Sequence, residues 1–595
     1  MARLLLRFLV LAACLSIQPV AAFTQQPTST TVDTALAAEF VAAAPAARDA
    51  LIAARPAMLD ATFTAWLNNE GQRRRNARDF DGARQYHLAA LYIGEQHNRP
   101  AAAVSATNGL SMVAEAQDDR PAAMEFAERA LALAQRANDV AGQQQSWGNV
   151  GVLQLRSGKL EAAEASMQHA VDLAKQLNNP LLVGRALHTA GVVQVRLGNI
   201  AKALDVLLQA IAFKTEAHAP PSDFLTTYTL IGGVYSDQGE LDVATDYYKR
   251  AIDAMNGEVT INVVGVYSNL GLVQRARRQY ADARKTYAMA LPIAQRLGSD
   301  ELEATIQFNL AQIEWHEEQF DKAEALFRQS LTTRERTGPV SSVVESLDSL
   351  AGLLTERGRY DEAVTIAERG LKISTEAGML DDVWRCYVTV GSVYQRLRRY
   401  DEARTAFEKG IETIETLRAL APIGNGEPHA IFEKLTPYYE LAELNVEVGR
   451  PFDGLAAVDR ARARTLVEIL STDTPPSRDL SLAEREREQA LTKVIVEASA
   501  LVDAERAKPA PDRARLTTLD ADLTSARAVR DAYITNLFAQ RPDLRLSSGR
   551  TAGLTPAQLT RVLSPGTAIV SFVLEDHTSW VYVATAGANG PVVTA

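Results

Sequence analysis

The amino-acid sequence predicts an all-α protein in which about ten helical hairpins, each of about 40 residues, stack into a solenoid. The main observation is an alanine that recurs nine times at an almost constant spacing: Ala83, Ala123, Ala163, Ala203, Ala244, Ala283, Ala323, Ala363 and Ala403. A fixed period of this size is typical of stacked repeats, because each hairpin can bury its apolar face only against its neighbours. We call this residue the hairpin alanine.

A second recurring position explains how the two helices of a hairpin pack. Twelve residues before each hairpin alanine the sequence places a small residue: Gly71, Ser111, Gly151, Gly191, Gly232, Gly271, Ala311, Ala351 and Gly391. A small side chain allows two helices to approach closely. Seven residues later, four hairpins carry a glycine that predicts a left-handed helix end: Gly158, Gly198, Gly239 and Gly358.

The second helix of each hairpin is predicted to open on an aromatic or aliphatic residue, often followed by aspartate, as in Phe80-Asp81, Phe320-Asp321 and Tyr360-Asp361. An acidic residue in the first turn suits the helix dipole. This pattern resembles the tetratricopeptide repeat (TPR), whose unit usually has about 34 residues. The resemblance extends over about residues 61–470 and implies a right-handed superhelix. The longer period indicates longer helices or an extra turn.

Composition excludes several classes of function. The net charge is −11, the isoelectric point is near 5.5, and charges of both signs are mixed along the chain; this argues against a nucleic-acid-binding surface. Only two cysteines exist, Cys14 and Cys386. We therefore expect neither a cysteine metal cluster nor any cofactor, and Cys386 is predicted to be a buried small residue. His169, His188 and His316 lack metal-ligand spacing and are expected to be satisfied or exposed side chains.

The N-terminus predicts export. Arg3 and Arg7 precede an apolar run, and Val20-Ala21-Ala22 places small side chains where a signal peptidase cleaves. We expect residues 1–22 to be a signal peptide and the protein to be secreted or periplasmic. The alternative is a lipoprotein anchored at Cys14. Residues 23–60 should form a flexible leader and capping helices, and no later stretch is apolar enough to span a membrane.

The C-terminal third changes in character. A Gly/Pro stretch at 421–428 predicts a loop before a final hairpin that ends the array near residue 470. Residues 479–541 predict an antiparallel pair of long helices, because seven residues of the second helix form a heptad seam: Leu516, Leu519, Leu523, Ala526, Arg530, Tyr533 and Leu537. Residues 551–595 predict a helix capped by Thr555, then strands at 568–574, 579–584 and 591–595.

The order of these parts resembles bacterial TPR-CHAT proteins, whose C-terminal domain is caspase-like. The resemblance includes the run from Asp459 to Leu466 that closes the array and the Ser564-Pro565-Gly566-Thr567 approach to a strand. It implies a cysteine peptidase with a His-Cys dyad. No cysteine follows Cys386, and His577 falls in a predicted turn. We therefore expect only the start of a CHAT domain, no catalytic residue and no enzyme activity in this chain.

The candidate binding surface is the concave side that the first helices of the hairpins are expected to line. Two residues before the small residue, the sequence favours small or polar side chains that could hydrogen-bond a peptide main chain. We call these the ladder residues: Asn69, Asn149, Thr189, Asn269, Asn309, Ser349 and Thr389. Equally open is the interpretation that they only join neighbouring helices.

The sequence thus predicts a secreted or periplasmic scaffold that binds a protein or an extended peptide, without nucleic acid or a membrane span. One alternative is a truncated CHAT-family cysteine peptidase whose array recruits substrate or regulator. Another is self-association through the exposed edge of the unfinished sheet.

Overall fold

A computed structural model describes residues 32–255, 260–420, 434–473, 512–541, 554–574, 579–587 and 590–595, with scattered positions between 481 and 505. The predicted signal peptide, Cys14, the 421–428 loop and His577 lie outside the described residues. The chain divides into two compact units, Met1–Ile306 and Gln307–Ala595.

The first unit opens with two short helices and a 3-10 turn before the hairpins begin: α1 (Thr34–Ala42), α2 (Pro45–Ala54) and the turn Pro56–Leu59. Hairpins 1 to 3 follow as α3 (Ala61–Asn76) with α4 (Phe80–Gln96), α5 (Pro100–Ala116) with α6 (Arg120–Arg136), and α7 (Val140–Arg156) with α8 (Leu160–Gln176). Hairpins 4 to 6 are α9 (Pro180–Arg196) with α10 (Ile200–Glu216), α11 (Ser222–Asp237) with α12 (Leu241–Asp253), and α13 (Ile261–Ala276) with α14 (Tyr280–Arg296).

Hairpin 7 pairs α15 (Asp300–His316), in which the boundary between the units falls, with α16 (Phe320–Thr337). The second unit continues with α17 (Val340–Glu356) and α18 (Tyr360–Glu376), α19 (Leu380–Arg396) and α20 (Tyr400–Leu420), and α21 (Thr436–Glu447) and α22 (Pro451–Asp473). After these come α23 (Arg513–Gln540), α24 (Pro556–Val562) and strands β1 (Ala568–Leu574), β2 (Ser579–Gly587) and β3 (Gly590–Thr594). The described residues thus contain ten hairpins, which confirms the predicted fold class.

The long period of the repeat comes from the length of its helices. From α4 to α10 every helix is 17 residues long, and three residues separate each helix from the next. Two such helices and two such turns account for the whole period, so the prediction of longer helices is confirmed. The one longer step, from Ala203 to Ala244, arises at hairpin 5, where residues 217–221 separate α10 from α11.

The turns between the helices share one backbone conformation. The middle residue of nearly every turn is left-handed, as at Gly158 with φ 72°. The same turn shows both hydrogen bonds of a Schellman motif, from Gly158 N to Leu155 O (3.1 Å) and from Lys159 N to Gln154 O (2.9 Å). All four predicted glycines have positive φ, but nine non-glycine residues do so as well: Arg78, Asn98, Asp118, Asn138, Asn178, His218, Arg278, Glu318 and Arg398.

In six hairpins the small residue is a glycine that faces a large side chain of the second helix. At Gly271 a Cβ atom would lie 2.5 Å from the Tyr287 ring, which is completely buried. In both units, first helices of neighbouring hairpins also pack directly side by side, whereas the second helices make their main contacts with first helices. This asymmetry brings the side chains of successive first helices together.

The C-terminal sheet is part of the core that closes the array. Its strands pair antiparallel in the order β1-β2-β3. Tyr582 is fully buried in one hydrophobic cluster with Phe407 of α20 and Leu441 of α21. The guanidinium of Arg462 on α22 donates hydrogen bonds to Ser571 Oγ (2.6 Å) and to the Phe572 carbonyl. The last hairpin and the sheet therefore form one packed body.

The remaining C-terminal predictions concern the cap and the helical pair. Thr555 and Gln558 form the predicted capping box. The predicted seam of α23 holds its buried and half-buried residues, with Leu523 packed against Ile495 and Val502. Tyr533 Oη donates to Glu484 O (3.2 Å), and Arg515 pairs with Glu505 (3.2 Å). These contacts run in opposite directions along the two segments, so the pairing is antiparallel.

Candidate functional site

Four of the ladder residues make hydrogen bonds inside the array. Asn149 Nδ2 donates to Asn108 Oδ1 (2.9 Å), which joins the first helices of hairpins 3 and 2. Ser349 accepts from Gln312 Nε2 (3.1 Å), and Thr389 hydrogen-bonds to the Asp348 carboxylate. Thr189 Oγ1 donates within its own helix to Arg185 O (3.4 Å). The joining of neighbouring helices is thus part of what these side chains do.

The other three ladder residues differ in burial. Asn69 is exposed, and its neighbour Asn68 instead contacts His87 Nδ1 (3.0 Å). Asn269 and Asn309 are 0% and 1% exposed, and neither side-chain amide makes a hydrogen bond to a described residue. A buried amide without a partner costs about 1–3 kcal/mol. Peptide binding by the ladder residues stays a prediction.

A stronger candidate site lies where a buried position of the second helices is occupied by a cation. Eleven residues after the hairpin alanine, seven hairpins carry an uncharged residue, and all are buried: Gly94, Ala134, Ala174, Met255, Ala294, Ser374 and Ile414. Hairpin 4 has Lys214 there, and hairpin 7 has Arg334. Both cations remain buried, with 2% and 3% exposure.

Lys214 is held by neutral acceptors of the next first helix. Its Nζ donates to the Asp223 carbonyl (2.7 Å) and to Thr227 Oγ1 (2.7 Å). Thr227 Oγ1 also lies 3.1 Å from His188 Nδ1. Since the Thr227 hydroxyl accepts from Lys214, it can give its own proton to His188, which then carries its hydrogen on Nε2. We call these residues, with Arg185, the Lys214 site.

Arg334 repeats these contacts at equivalent positions. Its Nη1 donates to the Ser342 carbonyl (3.0 Å) and to Ser346 Oγ (2.8 Å). Counted from the small residue of hairpin 8, Ser342 and Ser346 correspond to Asp223 and Thr227. The Arg334 guanidinium lies 4.4 Å from the ring centre of Phe308, which occupies the position of His188. These residues, with Glu345, form the Arg334 site.

The two sites differ in how the buried charge is balanced. Arg334 Nη1 is 3.0 Å from Glu345 Oε2, and Glu345 lies six residues before the small residue. At that position hairpin 5 has Thr226. The nearby Asp223 carboxylate is bound by Arg185, at 3.0 and 2.9 Å. In the described part of the chain, no carboxylate forms an ion pair with Lys214.

The protonation of the Lys214 site follows from its burial. Burial lowers the pKa of Lys214 to about 8, an effect that the Asp223 carboxylate opposes. Burial, together with the Lys214 charge, lowers the pKa of His188 to about 3. His188 is therefore neutral at pH 7, and Lys214 is mostly charged in a place that disfavours charge.

The second unit holds a buried acid on its first helices. Burial raises the pKa of Asp348 to about 6, although the Thr389 hydrogen bond and Arg385 oppose the shift. Burial also raises the pKa of the adjacent Asp382, whose carboxylate pairs with Arg385. Cys386 is buried as predicted, and burial raises the pKa of its thiol, so the thiol is unreactive.

Other chemistry finds little support in the described residues. No group of three or more His, Cys, Asp or Glu side chains there is placed to hold a metal ion. No helix of that part is long and apolar enough to cross a bilayer. His169 stacks on Trp147 with ring centres 4.6 Å apart, and this contact accounts for its placement.

Sequence reasoning did not find the Lys214 site, because it treated His188 as an isolated histidine. A signal was present in the repeat register: a lysine and an arginine, three hairpins apart, replace uncharged residues at one position of the second helices. Which acceptors they reach depends on the next hairpin, and the spacing alone does not give that information.

Comparisons with known proteins agree with this architecture. Residues 143–216, 263–336 and 343–416 match a family model described as tetratricopeptide repeat, and residues 225–254 match a second model with the same description. The matched hairpins are therefore tetratricopeptide repeats. No curated protein matches the chain.

Several solved structures are similar at low sequence identity. The apo form of RapI is 12% identical, with 62% of this chain and 98% of that chain covered and a TM-score of 0.48. The apo form of the quorum sensor NprR from B. thuringiensis is 14% identical, with coverage of 61% and 98% and a TM-score of 0.46. BtubC from P. vanneervenii is 22% identical, with coverage of 36% and 91% and a TM-score of 0.34.

Proposed function

We propose that this repeat array is a scaffold that holds an extended peptide, or an unstructured segment of a partner protein, on the surface of its first helices. The observation that carries the proposal is a set of charged side chains at one position of the first helices, six residues before the small residue: Arg185, Glu345 and Arg385. Each is fixed by an ion pair, with Asp223, Arg334 and Asp382 respectively, yet each remains 18–33% exposed.

Such side chains suit peptide recognition because their geometry is set before a ligand arrives. Ordering a long charged side chain on binding costs about 0.5–1.5 kcal/mol. Here the ion pairs order these side chains before a peptide binds. The exposed part of each group can still bind polar atoms of a peptide. A guanidinium such as that of Arg385 has more N–H donors than its pairing with Asp382 uses, so it can bind a main-chain carbonyl as well.

The test is selection of displayed random dodecapeptides against the whole protein, followed by affinity measurement with individual peptides. We expect Arg185→Ala or Arg385→Ala to weaken the peptides bound at the corresponding unit at least tenfold. Arg129→Ala and Lys372→Ala, exposed charges of second helices, are the matched controls. The proposal would be overturned if Arg185→Ala and Arg385→Ala left peptide affinity unchanged, or if the selection enriched no peptide.

We also propose that the protein is exported, on the strength of the N-terminal sequence pattern. The test is to determine the N-terminal residue of the protein recovered from the cell envelope or the medium. A chain beginning at Phe23 supports cleavage after Ala22, a lipid-modified Cys14 supports the lipoprotein alternative, and an intact Met1 contradicts both.

A second candidate function concerns the C-terminal sheet, which we propose to be the start of a caspase-like CHAT domain with peptidase activity. One observation favours it: the face turned away from the array is apolar, with Val570, Phe572, Val581 and Val592 exposed by 43–58%. A further structural layer would cover such a face. The test is the genomic reading frame after Ala595: a downstream histidine and cysteine support the proposal, and an immediate stop codon removes it.

A further inference from the structure

The Lys214 site contains a buried positive charge that the described protein does not pair. Its ammonium group has three donors, and the Asp223 carbonyl and the Thr227 hydroxyl are the acceptors that it reaches. Both are neutral. Burying a cation is costly unless an anion compensates it, and seven other hairpins avoid this cost with uncharged residues at the same position.

The Arg334 site shows where a compensating anion fits. There the same carbonyl and hydroxyl positions bind the cation, and the Glu345 carboxylate completes its coordination at 3.0 Å. Glu345 is one-third exposed, so this carboxylate enters from the solvent-accessible side of the first helix. The repeats thus provide an internal template for an occupied site.

At the position equivalent to Glu345, hairpin 5 lacks an acidic side chain. Thr226 takes the position of Glu345 and is half-buried, so this side of Lys214 borders the accessible surface of α11. Asp223 is not a substitute, because Arg185 binds both of its oxygens. Arg185 also adds a second cation on the same side, whereas His188 is neutral.

We propose that the Lys214 site is a subsite for an acidic side chain of the bound segment, whose carboxylate enters beside Thr226 and pairs with Lys214 as Glu345 pairs with Arg334. This inference rests on the proposed function, since it names one chemical feature of the ligand. It predicts that segments bound at hairpins 4 and 5 carry Asp or Glu at one fixed position.

The decisive variant is Thr226→Glu, which places an internal carboxylate where hairpin 8 has one. We expect it to fill the subsite, and Thr226→Gln is the matched control of equal size without charge. Position 226 is half-buried, so both variants should fold, and their thermal unfolding is measured first. Lys214→Met is the complementary variant, because hairpin 5 carries Met255 at the equivalent position.

The experiment is selection of displayed random dodecapeptides on the wild-type protein, on Thr226→Glu and on Thr226→Gln. On the wild type and Thr226→Gln we expect peptides that share an acidic residue, and its change to the amide should weaken their binding at least tenfold. On Thr226→Glu and Lys214→Met the acidic preference should disappear.

Two results separate failure of this inference from failure of the proposed function. Peptides that are selected on all variants with the same acidic content overturn the subsite but not the scaffold. A selection without enriched peptides overturns both. A further measurement adds inorganic phosphate at millimolar concentration. If phosphate stabilises the wild type and Thr226→Gln but not Thr226→Glu, and the selected peptides show no acidic preference, then the site binds a free anion and the inference is wrong.

Discussion

The Lys214 and Arg334 sites place a cation at the same position of the repeat, yet of these two cations only Arg334 forms an ion pair with an acid among the described residues. Both cations contact a carbonyl and a hydroxyl of the next first helix, and both lie near a ring of their own hairpin. Glu345 is the difference. The comparison indicates that one buried charge is part of the fold, whereas the other is kept at a cost to stability. Violations of this kind are expected at functional sites.

The largest expected effect is the loss of Glu345. Glu345→Ala leaves the Arg334 guanidinium buried with only neutral acceptors, and we expect the local free energy of unfolding to fall by about 3 kcal/mol. Hydrogen exchange of the α16 and α17 amides measures this locally. Thr226→Ala is the matched change in hairpin 5, where we expect less than about 0.5 kcal/mol. Equal effects at the two positions would remove the distinction between the sites.

Replacing each cation by methionine should change stability in opposite directions. Lys214→Met removes an unpaired buried charge, and we expect a gain of about 2 kcal/mol at pH 7. Arg334→Met removes an existing ion pair and should lose about 1 kcal/mol. Hydrogen exchange of α10 and α16 gives both values. A loss on Lys214→Met would mean that the fold itself needs the ammonium group.

The stability gained by Lys214→Met should depend on pH. The pKa of Lys214 is about 8 in the folded protein, against ~10.4 in an unfolded chain. Between these values the unfolded state holds more protons, so the wild type gains stability as pH rises, whereas below pH 8 it bears the full cost. The difference between wild type and Lys214→Met should therefore shrink from pH 8 to pH 10. Arg334→Met should show no such change, since arginine stays charged.

The smallest difference between the two sites concerns their hydroxyl groups. Thr227→Val removes one of the two acceptors that Lys214 reaches, and we expect a loss of about 1.5 kcal/mol. Ser346→Ala leaves Arg334 with Glu345 and a carbonyl, so a loss of about 0.5 kcal/mol is expected. Local hydrogen exchange again provides the comparison. A larger loss at Ser346 would show that the hydroxyl, rather than the acid, stabilises the Arg334 site.

Much of the fold could be predicted because its determinants are local and repeated. The spacing of the hairpin alanine fixes the period, and residues such as Gly271 show where a second helix approaches closely. The heptad seam and the Thr555 cap are equally local. The left-handed Arg78, Arg278, Glu318 and Arg398 could not be predicted in this way, because arginine and glutamate seldom adopt this conformation and take it here to complete the hydrogen bonds of the turn.

The candidate site was less accessible to sequence reasoning. A lysine in an amphipathic helix normally lies at the surface, so Lys214 attracts attention only when its position is aligned with Ala134 and Ala174. Lys214 has no ion pair among the described residues because the Asp223 carboxylate binds Arg185, and this depends on side-chain packing between hairpins. The ladder residues were visible in the sequence, but the burial of Asn269 and Asn309 was not.

The regular spacing of the left-handed turns has a consequence for how this chain can change in length. Because equivalent turn residues such as Asn98 and Asn138 have the same backbone conformation, with φ 52° at both, the segment between them forms a cassette with matching ends. Removing or duplicating one cassette leaves every remaining turn intact. Such a chain can grow or shrink by recombination within its gene, and a cation such as Lys214 can be carried to a new place in the array together with its hairpin.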